Sequence, residues 1–403
     1  MNDWKEILLG EVIEVVNGFA FKSTNFLESR IDNSLPVIKI KNVANGDVHL
    51  NGCQFHYYNN TLDKFVIDYG DVLIALTGNH PEVRTQVVGV ASRYKKCEKA
   101  FLNQRVAKVS PKDWKKLSND FLYYFLKDEN THDYLASQST GSANQANISK
   151  GDIESIPLNL PQLPEQTAIA EVLSSLDDKI DLLHRQNKTL EQLAETLFRQ
   201  WFVEESDEGW EEATIRDIAD HVKEIINPSK SPDTIYHHFS LPAFDDGKVP
   251  KAEIGKEILS NKYKVVANSI LISKLNPRFP RIWELYGDSV PENAICSTEF
   301  QIIKPKDIKM FGFIYCFLKS TQVTQELANA AGGTSGSHQR INPDDIFNLA
   351  FQVPRNNLIE KFDLITKEHF QKIKYNSQQI QTLTKLRETL LPKLMSGEVR
   401  LNQ

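Results

Sequence analysis

The sequence of 403 residues predicts an α+β fold. Two α/β domains are joined by two long helices packed as an antiparallel coiled coil, with a pseudo-two-fold internal repeat. The phrase TLEQLAETL at 189–197 returns 193 positions later as TLTKLRETL at 382–390, with six of nine residues identical. Around the first phrase, apolar residues recur at the spacing of helices that pack on one another. Short β-branched runs with turn residues between them predict small, mostly antiparallel sheets in the rest.

The repeat extends into the domains, because elements of the first half return in the same order in the second. W-x4-L-G-E-V at 4–12 is matched by W-x4-I-R-D-I at 210–218. The strand-like GDVLIAL at 70–76 is matched by NSILISK at 268–274. The period of about 190–206 residues therefore corresponds to one domain plus one helix, and not to a short solenoid repeat.

Each predicted domain ends in a short capped helix before its long helix. Ser149 with Asp152, and Asn342 with Asp345, have the spacing of N-terminal capping boxes, and Pro343 fits the first helical position. The predicted segments are a first domain, a central helix, a second domain and a distal helix, at residues 1–160, 161–208, 209–354 and 355–403.

The central helix has regular apolar spacing from Pro164 onward. A lone helix would not keep such a seam in water, so we expect it to pack against the distal helix. Asn187 interrupts the seam and either fixes the register of the pair or marks a solvated kink point. Pro392 is expected to end or kink the distal helix. The predicted interface residues are Ile169, Leu173, Leu176, Ile180, Leu183, Asn187, Leu190, Leu197, Ile373, Ile380, Leu383 and Leu390.

Composition favours a soluble globular protein, with 40% hydrophobic and 25% charged residues and a net charge of −6. The N-terminus has no signal-peptide pattern, and the apolar runs are too short to cross a bilayer. The four cysteines show no metal-ligand spacing and are interpreted as buried thiols in a reducing cytoplasm, and not as disulfides or a zinc site. No phosphate-binding glycine motif is present. We therefore expect no catalytic site, metal or cofactor in this chain.

Polar loops follow the matched strands. LTGNHPEVRTQ at 76–86 and KLNPRFPRIW at 274–283 leave the same strand in each half. They are rich in Asn, Gln, Arg and Lys, which read base edges or bind phosphates in DNA. For any single residue the alternative is an ordinary surface loop. The candidate DNA-binding residues are Lys22, Lys39, Lys41, Asn42, Thr77, Asn79, Arg84, Gln86, Asn144, Gln145, Lys274, Asn276, Arg278, Arg281, His338, Gln339 and Arg340.

Three phrases resemble the DNA-specificity (S) subunit of type I restriction–modification enzymes. LPQLPEQTAIAEVLSSLDDKI at 160–180 resembles the central conserved region of that family, and LRETLLPKLMSGEVRL at 386–401 resembles its distal conserved end. NGFAFKSTNF and PVIKIKNV within 17–43 resemble the opening of many target-recognition domains. One departure is that the distal helix begins VPRNNLIEKF and lacks the E-Q start of the central copy.

The resemblance implies that each target-recognition domain reads one half of an interrupted site in double-stranded DNA. It also implies that the helices space the domains and dock methylation subunits, two of them expected, within a bacterial defence complex that includes restriction subunits. S-adenosylmethionine, ATP and Mg²⁺ are then expected in those partners, and this chain is expected to be non-catalytic. Two alternatives are a tandem-repeat coiled-coil adaptor that binds proteins only, and an enzyme with an unfamiliar site.

Overall fold

The computed structural model describes residues 4–44, 46–79, 88–142, 145–207, 209–287, 290–332 and 339–401. The chain forms two compact units, Met1–Ile180 with Thr382–Gln403, and Asp181–Gln381. Each unit therefore contains one sheet domain and a part of both long helices. Within the described part of the chain, no helix has the length and apolar character needed to span a membrane.

The first unit contains short strands and helices that lead into the first long helix. Its strands are β1 (Lys5–Leu8), β2 (Ile13–Asn17), β3 (Ser34–Ile38), β4 (Val43–Ala44), β5 (Gly46–Val48), β6 (Gln54–Tyr57), β7 (Val66–Ile67), β8 (Val72–Ala75), β9 (Thr77–Gly78), β10 (Ala91–Arg93), β11 (Ala100–Leu102), β12 (Val106–Pro111), β13 (Thr140–Ser142), β14 (Gln145–Asn147) and β15 (Pro157–Leu160). Its helices are α1 (Asn119–Lys127), α2 (Glu129–Ser137), α3 (Lys150–Glu154) and the start of α4 (Leu163–Arg199).

The sheets of the first unit are mostly antiparallel, as the sequence predicts. One has the strand order β2-β12-β8-β10-β5-β4, and another has the order β6-β3-β11-β7. The described parallel pairs are β10 with β5 and β11 with β3. β8 is buried throughout, which explains its continuous apolar run. β1 pairs with β15 and so brings the ends of the domain together beside α4.

The second unit repeats this plan. Its strands are β16 (Glu212–Thr214), β17 (Ala219–Val222), β18 (Ile225–Ile226), β19 (Ile235–Phe239), β20 (Lys251–Ile254), β21 (Lys262–Lys264), β22 (Ser269–Ser273), β23 (Ile282–Leu285), β24 (Ala294–Cys296), β25 (Phe300–Pro305) and β26 (Ala350–Gln352). Its helices, besides the end of α4, are α5 (Ile215–Ile218), α6 (Leu241–Asp245), α7 (Phe311–Lys319), α8 (Thr321–Ala330), α9 (Pro343–Phe347) and the start of α10 (Asn356–Met395).

The sheets of the second unit correspond to those of the first. One has the strand order β17-β25-β22-β23, and the other has the order β18-β21-β24-β19-β20. β16 pairs with β26 in the way that β1 pairs with β15. The structure therefore confirms the predicted α+β repeat, including the two long helices.

The capping boxes form as the sequence predicts. The Ser149 backbone N–H donates to the Asp152 Oδ2 at 2.7 Å, while the Asp152 N–H donates to the Ser149 Oγ at 3.2 Å. At the equivalent helix, the Asn342 N–H donates to the Asp345 Oδ2 at 2.7 Å, and Pro343 occupies the first helical position. Both caps satisfy backbone donors that have no partner inside their own helix.

The expectation that Pro392 ends or kinks the distal helix is wrong about an ending, because α10 continues to Met395. Proline removes one backbone donor and disturbs the preceding turn. Here it lies in the last turn, and its carbonyl still accepts from the Ser396 N–H at 2.9 Å. At the other long helix, α4 ends at Arg199 and is followed by a π-helical turn, Gln200–Glu204, short of the predicted limit at 208.

Within the first unit, the long helices run antiparallel. Arg387 on α10 donates to Asp177 on α4 at 2.7 Å. Farther back on α4, the Glu165 Oε2 accepts from the Arg400 Nη2 at 2.9 Å. Lower residue numbers on α4 therefore lie opposite higher numbers on α10 and the segment after it, as in an antiparallel pair. Leu391, Leu394 and Met395 enter the core of the first domain, so this unit is closed by a segment that follows the second domain.

Asp177 is the centre of a buried charge network in the first unit. Its carboxylate also accepts from the Tyr124 hydroxyl at 3.0 Å and from the Lys127 Nζ at 3.4 Å, both from α1. Burial alone would raise the pKa of Asp177, but Lys127 and Arg387 outweigh it and lower that pKa below its ordinary value. The network therefore joins the domain to both long helices through one ionised carboxylate.

The second unit has a comparable network, which is again centred on a carboxylate of α4. Glu191 on α4 accepts from Lys248 at 3.1 Å and from Lys319 of α7 at 2.8 Å. Burial would raise the pKa of Glu191, whereas the two lysines lower it. Lys319 is the repeat equivalent of Lys127, so a lysine at the end of the matched helix contacts α4 in each unit.

The predicted interface residues are all at least half-buried. Ile169, Leu173, Ile180, Leu183 and Ile373 are buried. The remaining interface residues are half-buried, namely Leu176, Asn187, Leu190, Leu197, Ile380, Leu383 and Leu390. The structure thus confirms the helix pair, while a role of these residues in contacting another subunit stays a prediction.

Asn187 has a specific partner across the helix pair in the second unit. The Asn376 Nδ2 donates to the Asn187 Oδ1 at 2.8 Å, and the Asn187 Nδ2 contacts the Ser377 hydroxyl at 3.4 Å. Asn376 is fully buried. Because a slipped register would leave the buried Asn376 amide without Asn187, this pairing favours the register interpretation of Asn187 over the kink interpretation.

Replacing Asn376 by leucine is expected to lower the free energy of unfolding by about 1–3 kcal/mol, because the Asn187 amide then loses its partner. The double substitution Asn187→Leu with Asn376→Leu removes both polar groups and is expected to recover most of that loss. Urea unfolding of the single and the double variant measures this loss and its recovery. Asn130→Leu, at an exposed position of α2, is the control. Equal losses in the single and double variants would contradict the paired role.

Candidate nucleic-acid interface

In the first unit, the polar loop that follows β8 meets the segment that carries the candidate residue Gln145. The segment after β8 forms β9, which pairs antiparallel with β14, so that Gly78 lies opposite Ala146. The Thr77 hydroxyl donates to the Asn147 Oδ1 at 2.8 Å, and the Ile148 N–H donates to the Leu76 carbonyl. Two loops that are distant in the chain therefore form one local surface.

The candidates on this surface differ in accessibility. Thr77 is only 8% exposed, and its hydroxyl is engaged, so this side chain joins the two loops and does not face a ligand. Asn79 is half-buried, whereas Gln145 is exposed. The candidates that lie outside the described residues are Arg84, Gln86 and Asn144.

In the second unit, the equivalent loops meet in the same way beyond β22. The Asn276 N–H donates to the Gln339 carbonyl at 2.9 Å, and the Ile341 N–H donates to the Lys274 carbonyl at 3.1 Å. Asn276 has a positive φ of 53°, a conformation that asparagine tolerates better than most residues. Lys274 and Gln339 are half-buried, and His338 lies outside the described residues.

Ion pairs distinguish the three arginines of this second surface. Arg281 is held by Asp245 through two hydrogen bonds of 2.7 and 2.9 Å. Arg340 contacts Glu299 at 3.0 Å. Arg278 is exposed, and no ion pair joins it to another residue in the described ranges. Arg281 and Arg340 therefore stiffen the base of the loop, whereas Arg278 presents a guanidinium to solvent.

Phe279 is a feature of this loop that the sequence analysis missed. It stands between two prolines beside Arg278 and is 69% exposed. Its N–H donates to the Asn276 carbonyl at 3.0 Å, so a tight turn holds it at the tip. The signal in the sequence was P-R-F-P. Prolines on both sides interrupt any amphipathic helix or strand, so the pattern gives Phe279 no buried face to belong to.

The candidates near the start of the chain have mainly structural contacts. Asn42 is fully buried, its Oδ1 accepts from the Lys39 N–H at 3.1 Å and its Nδ2 donates to the Asn51 carbonyl at 3.2 Å. The prediction that Asn42 contacts DNA is therefore corrected, because its amide stabilises a turn. Lys41 is exposed and donates to the Gly52 carbonyl at 2.8 Å. Lys22 is exposed and directly precedes a 3-10 turn, Ser23–Asn25, without a side-chain hydrogen bond to it.

Lys39 is half-buried and has a specific environment. Its Nζ donates to the Gln54 Oε1 at 2.7 Å and lies 4.0 Å from the centre of the Phe26 ring. Burial, with the neighbouring Lys41 ammonium, lowers the pKa of Lys39. A lysine already held in this way is a weaker candidate for a phosphate contact than an exposed one.

The two loop surfaces occupy equivalent positions in their units. In the first unit the loop leaves β8 where Ala75 lies opposite Val106 of β12. In the second it leaves β22 where Ser273 lies opposite Phe300 of β25. Because the frames match while the loop residues differ, the arrangement suits two sites that recognise different features of one kind of ligand.

Two domains with the same strand framework but different polar loops are the arrangement expected of a protein with two recognition sites. A comparison with known families agrees with this interpretation. Residues 1–192 match the family described as the type I restriction modification DNA specificity domain. This match covers the first domain and most of the long helix α4.

Similar proteins extend the relationship over the rest of the chain. The type I restriction enzyme MjaIX specificity subunit of Methanocaldococcus jannaschii is 26% identical over 333 residues, which cover 75% of this chain and 73% of that protein. The type I restriction enzyme HindI specificity subunit of Haemophilus influenzae is 24% identical, with 99% and 100% of the two chains covered.

A solved structure shares the fold. The crystal structure of a type I restriction-modification S subunit from M. genitalium superposes with a TM-score of 0.59 and 17% identity, and covers 98% of this chain and 96% of that one. This similarity confirms the arrangement of two domains with long helices, and it concerns the fold alone.

Proposed function

We propose that this chain is the sequence-reading subunit of a type I restriction–modification complex, in which each domain reads one half of an interrupted DNA site. The observation that carries the proposal is the presence of two loop surfaces, equivalent in position and different in residues. The match of residues 1–192 to a DNA specificity domain and the similarity to specificity subunits over the rest of the chain support it. The adaptor alternative, which binds proteins only, is not favoured because it leaves this family relationship unexplained.

In this proposal the chain supplies recognition and its partners supply chemistry. Methylation subunits, two of them, would hold S-adenosylmethionine, and restriction subunits would use ATP and Mg²⁺. The long helices would space the two recognition domains and dock the methylation subunits. The complex would act on the cell's own DNA and on incoming DNA, so its proposed location is the cytoplasm.

Phosphate binding by this chain would depend on local positive charge and not on its net charge. The net charge of −6 gives no global attraction to DNA. Arg278 offers an unneutralised guanidinium at a loop tip, and Gln145 offers an exposed amide on the other loop surface. Partner subunits would contribute the remaining backbone contacts, since half to two-thirds of hydrogen bonds to DNA involve phosphate and sugar.

The decisive test is reconstitution with the methylation subunits. The complex is expected to transfer labelled methyl groups from S-adenosylmethionine to adenines in one two-part sequence, identified by sequencing the methylated sites. The chain alone is expected to transfer none and, with ATP and Mg²⁺, to cleave nothing. Methyl transfer by the lone chain would contradict the non-catalytic role. A stable complex with no sequence preference would favour the adaptor.

Arg278→Ala is expected to weaken binding of the complex to its site by about 1–3 kcal/mol if the guanidinium contacts a guanine edge. The loss would then be confined to sites with that base pair, whereas a phosphate contact would weaken all sequences alike and reduce the salt dependence. Fluorescence anisotropy with a panel of single-base variants of the site measures both quantities.

Arg216→Ala is the matched control for this prediction. Arg216 is an exposed arginine of the same unit, paired with Asp344 at 2.6 Å and located next to β17 on α5. It lies away from the loop surface, so its removal is expected to leave DNA binding unchanged. Equal affinities of wild type and Arg278→Ala for every sequence would exclude this arginine from the interface.

A further inference from the structure

A surface turn is repeated almost unchanged in the two units. PKDWK at 111–115 follows β12, and PKDIK at 305–309 follows β25. Four of the five residues are identical, although the neighbouring recognition loops have diverged. A feature retained between domains that read different sequences points to a shared structural or binding role.

Structural roles account for the conserved lysine and aspartate. The Lys112 Nζ donates to the Gly10 carbonyl at 2.5 Å, and the Lys306 Nζ donates to the carbonyl of Arg216, the repeat equivalent of Gly10, at 3.0 Å. The aspartates accept in the same way, Asp113 from the Lys115 N–H at 2.9 Å and Asp307 from the Lys309 N–H at 3.0 Å. The two turns are therefore built identically.

The fourth residue of each turn has no such structural role. Trp114 is 63% exposed and Ile308 is 42% exposed. Both are large and apolar, at a position where a polar residue would serve the turn equally well. One exposed apolar residue is ordinary on a protein surface, but its recurrence at the same position of two equivalent turns indicates a binding role.

The turns contact the long helices in both units. The Gln166 Nε2 of α4 donates to the Lys116 carbonyl at 2.9 Å in the first unit. In the second, the Lys309 Nζ donates to the Glu360 Oε1 of α10 at 2.8 Å. Each turn therefore lies beside the start of the long helix that follows its own domain.

The turns lie at the opposite end of their strands from the recognition loops. β12 is antiparallel to β8, with Val109 opposite Val72, so the chain leaves β12 at the end where β8 begins. β25 and β22 have the same relation, with Ile303 opposite Ile270. With about 3.4 Å per residue, the six residues of each strand separate turn and loop by roughly 20 Å. This separation argues against DNA as the ligand of the turns.

We infer that the turns around Trp114 and Ile308 are two equivalent docking sites for a protein, and that each turn, together with the long helix beside it, binds one copy of the methylation subunit. The inference rests on the proposed function. Two like sites require two like partners, which fits the pair of methylation subunits proposed above. At the first turn the neighbouring Lys115 and Lys116 are exposed, whereas at the second Lys309 is paired with Glu360. The partner surface is therefore expected to be an apolar pocket, with carboxylates at its rim where it meets the first turn.

Native mass spectrometry of the complex tests this inference. Wild type is expected to carry two methylation subunits. Trp114→Glu and Ile308→Glu are each expected to carry one, and the double variant to carry none at the same concentration. A buried tryptophan at an interface costs at least 2 kcal/mol on truncation, so Trp114→Ala is expected to weaken one of the two binding events by roughly 30-fold or more.

Tyr69→Glu and Leu259→Glu are the controls. Both residues are exposed apolar side chains, 68% and 89% accessible, and their variants are expected to keep two partners. Thermal unfolding of each variant establishes that the fold is retained.

The failures of the two proposals are distinguishable. Two methylation subunits bound with unchanged affinity to the double variant would overturn the docking sites and leave the proposed function intact. Loss of DNA binding with full partner loading would also overturn them, and would assign the turns to DNA. A wild-type chain that binds no methylation subunit would contradict the proposed function itself.

Discussion

Asp177→Ala is expected to lower the free energy of unfolding of the first unit by about 3–5 kcal/mol, the cost of leaving buried charges without their partner. Asp177 is 8% exposed and accepts from Arg387, Lys127 and Tyr124. Its removal leaves two cations without their carboxylate partner, Arg387 on α10 and Lys127 on α1. Chemical denaturation followed by circular dichroism measures the loss.

The same carboxylate predicts a dependence of stability on pH. Because its folded pKa is lowered from the ordinary value of 3.8, its contribution is complete above that value and disappears as the pH falls through the folded pKa. The difference in stability between wild type and Asp177→Ala is therefore expected to be constant near neutral pH and to shrink at pH values below about 4.

Asp178→Ala is the matched control, since this aspartate follows directly on the same helix and is exposed. Its removal is expected to change the free energy of unfolding by no more than about 0.5 kcal/mol. Similar losses in the two variants, or an Asp177→Ala effect that does not diminish in acid, would mean that the network is not the source of stability.

Lengthening both long helices by one heptad is expected to abolish recognition of the original site and to select a longer gap between its halves. The proposal that the helices space the two domains requires this result. Seven residues add roughly 10 Å at about 1.5 Å per residue, or about three base pairs at 3.4 Å each. Affinity for the original site is expected to fall toward the non-specific level, on the order of 10³-fold.

The register of the helix pair determines where the insertions belong. Since Asn187 faces Asn376, the two insertions are opposite one another when placed after Leu183 and after Gln379. The sequence repeat alone would have placed the second after Asn376, which is three residues out of step. Seven residues keep both apolar seams within about 20° of whole turns.

Site selection from randomised DNA measures the preferred gap of the lengthened protein. Three added base pairs also rotate one half-site by about 100° relative to the other, so weak binding to every gap is a second expected signature. A seven-residue insertion at the exposed Ser206, outside both helices, is the control for added length alone. A stable, lengthened protein that keeps the original gap would exclude helical spacing.

Sequence periodicity was sufficient to predict the long helices, because a seam of 3.5-residue spacing has no other stable use in water. It did not identify Asn376, since the distal helix is less regular and this buried asparagine takes the place that Leu183 has in the repeat. The partner of Asn187 could be found only once the register was known.

The loops were less predictable, because residue type does not reveal what a polar side chain contacts. Arg278 and Arg281 look alike in the sequence, yet one is exposed and the other is held by Asp245, a residue distant in the chain. Asn42 is of a residue type that reads bases, but its side-chain oxygen accepts from the Lys39 N–H within its own turn. Such contacts depend on the assembled sheet, which the sequence alone did not specify.

The division of the chain has a consequence for synthesis on the ribosome. The second unit is continuous, Asp181–Gln381, whereas the first needs Thr382–Gln403 to be complete. Leu391, Leu394 and Met395 belong to the same core as Trp4 and Ile7. At 5–20 residues per second, roughly 10–40 seconds pass between the emergence of residue 180 and that of the C-terminal segment. The unit whose synthesis begins first is therefore the last to close, and a nascent chain exposes part of its N-terminal core until residues 382–403 have emerged.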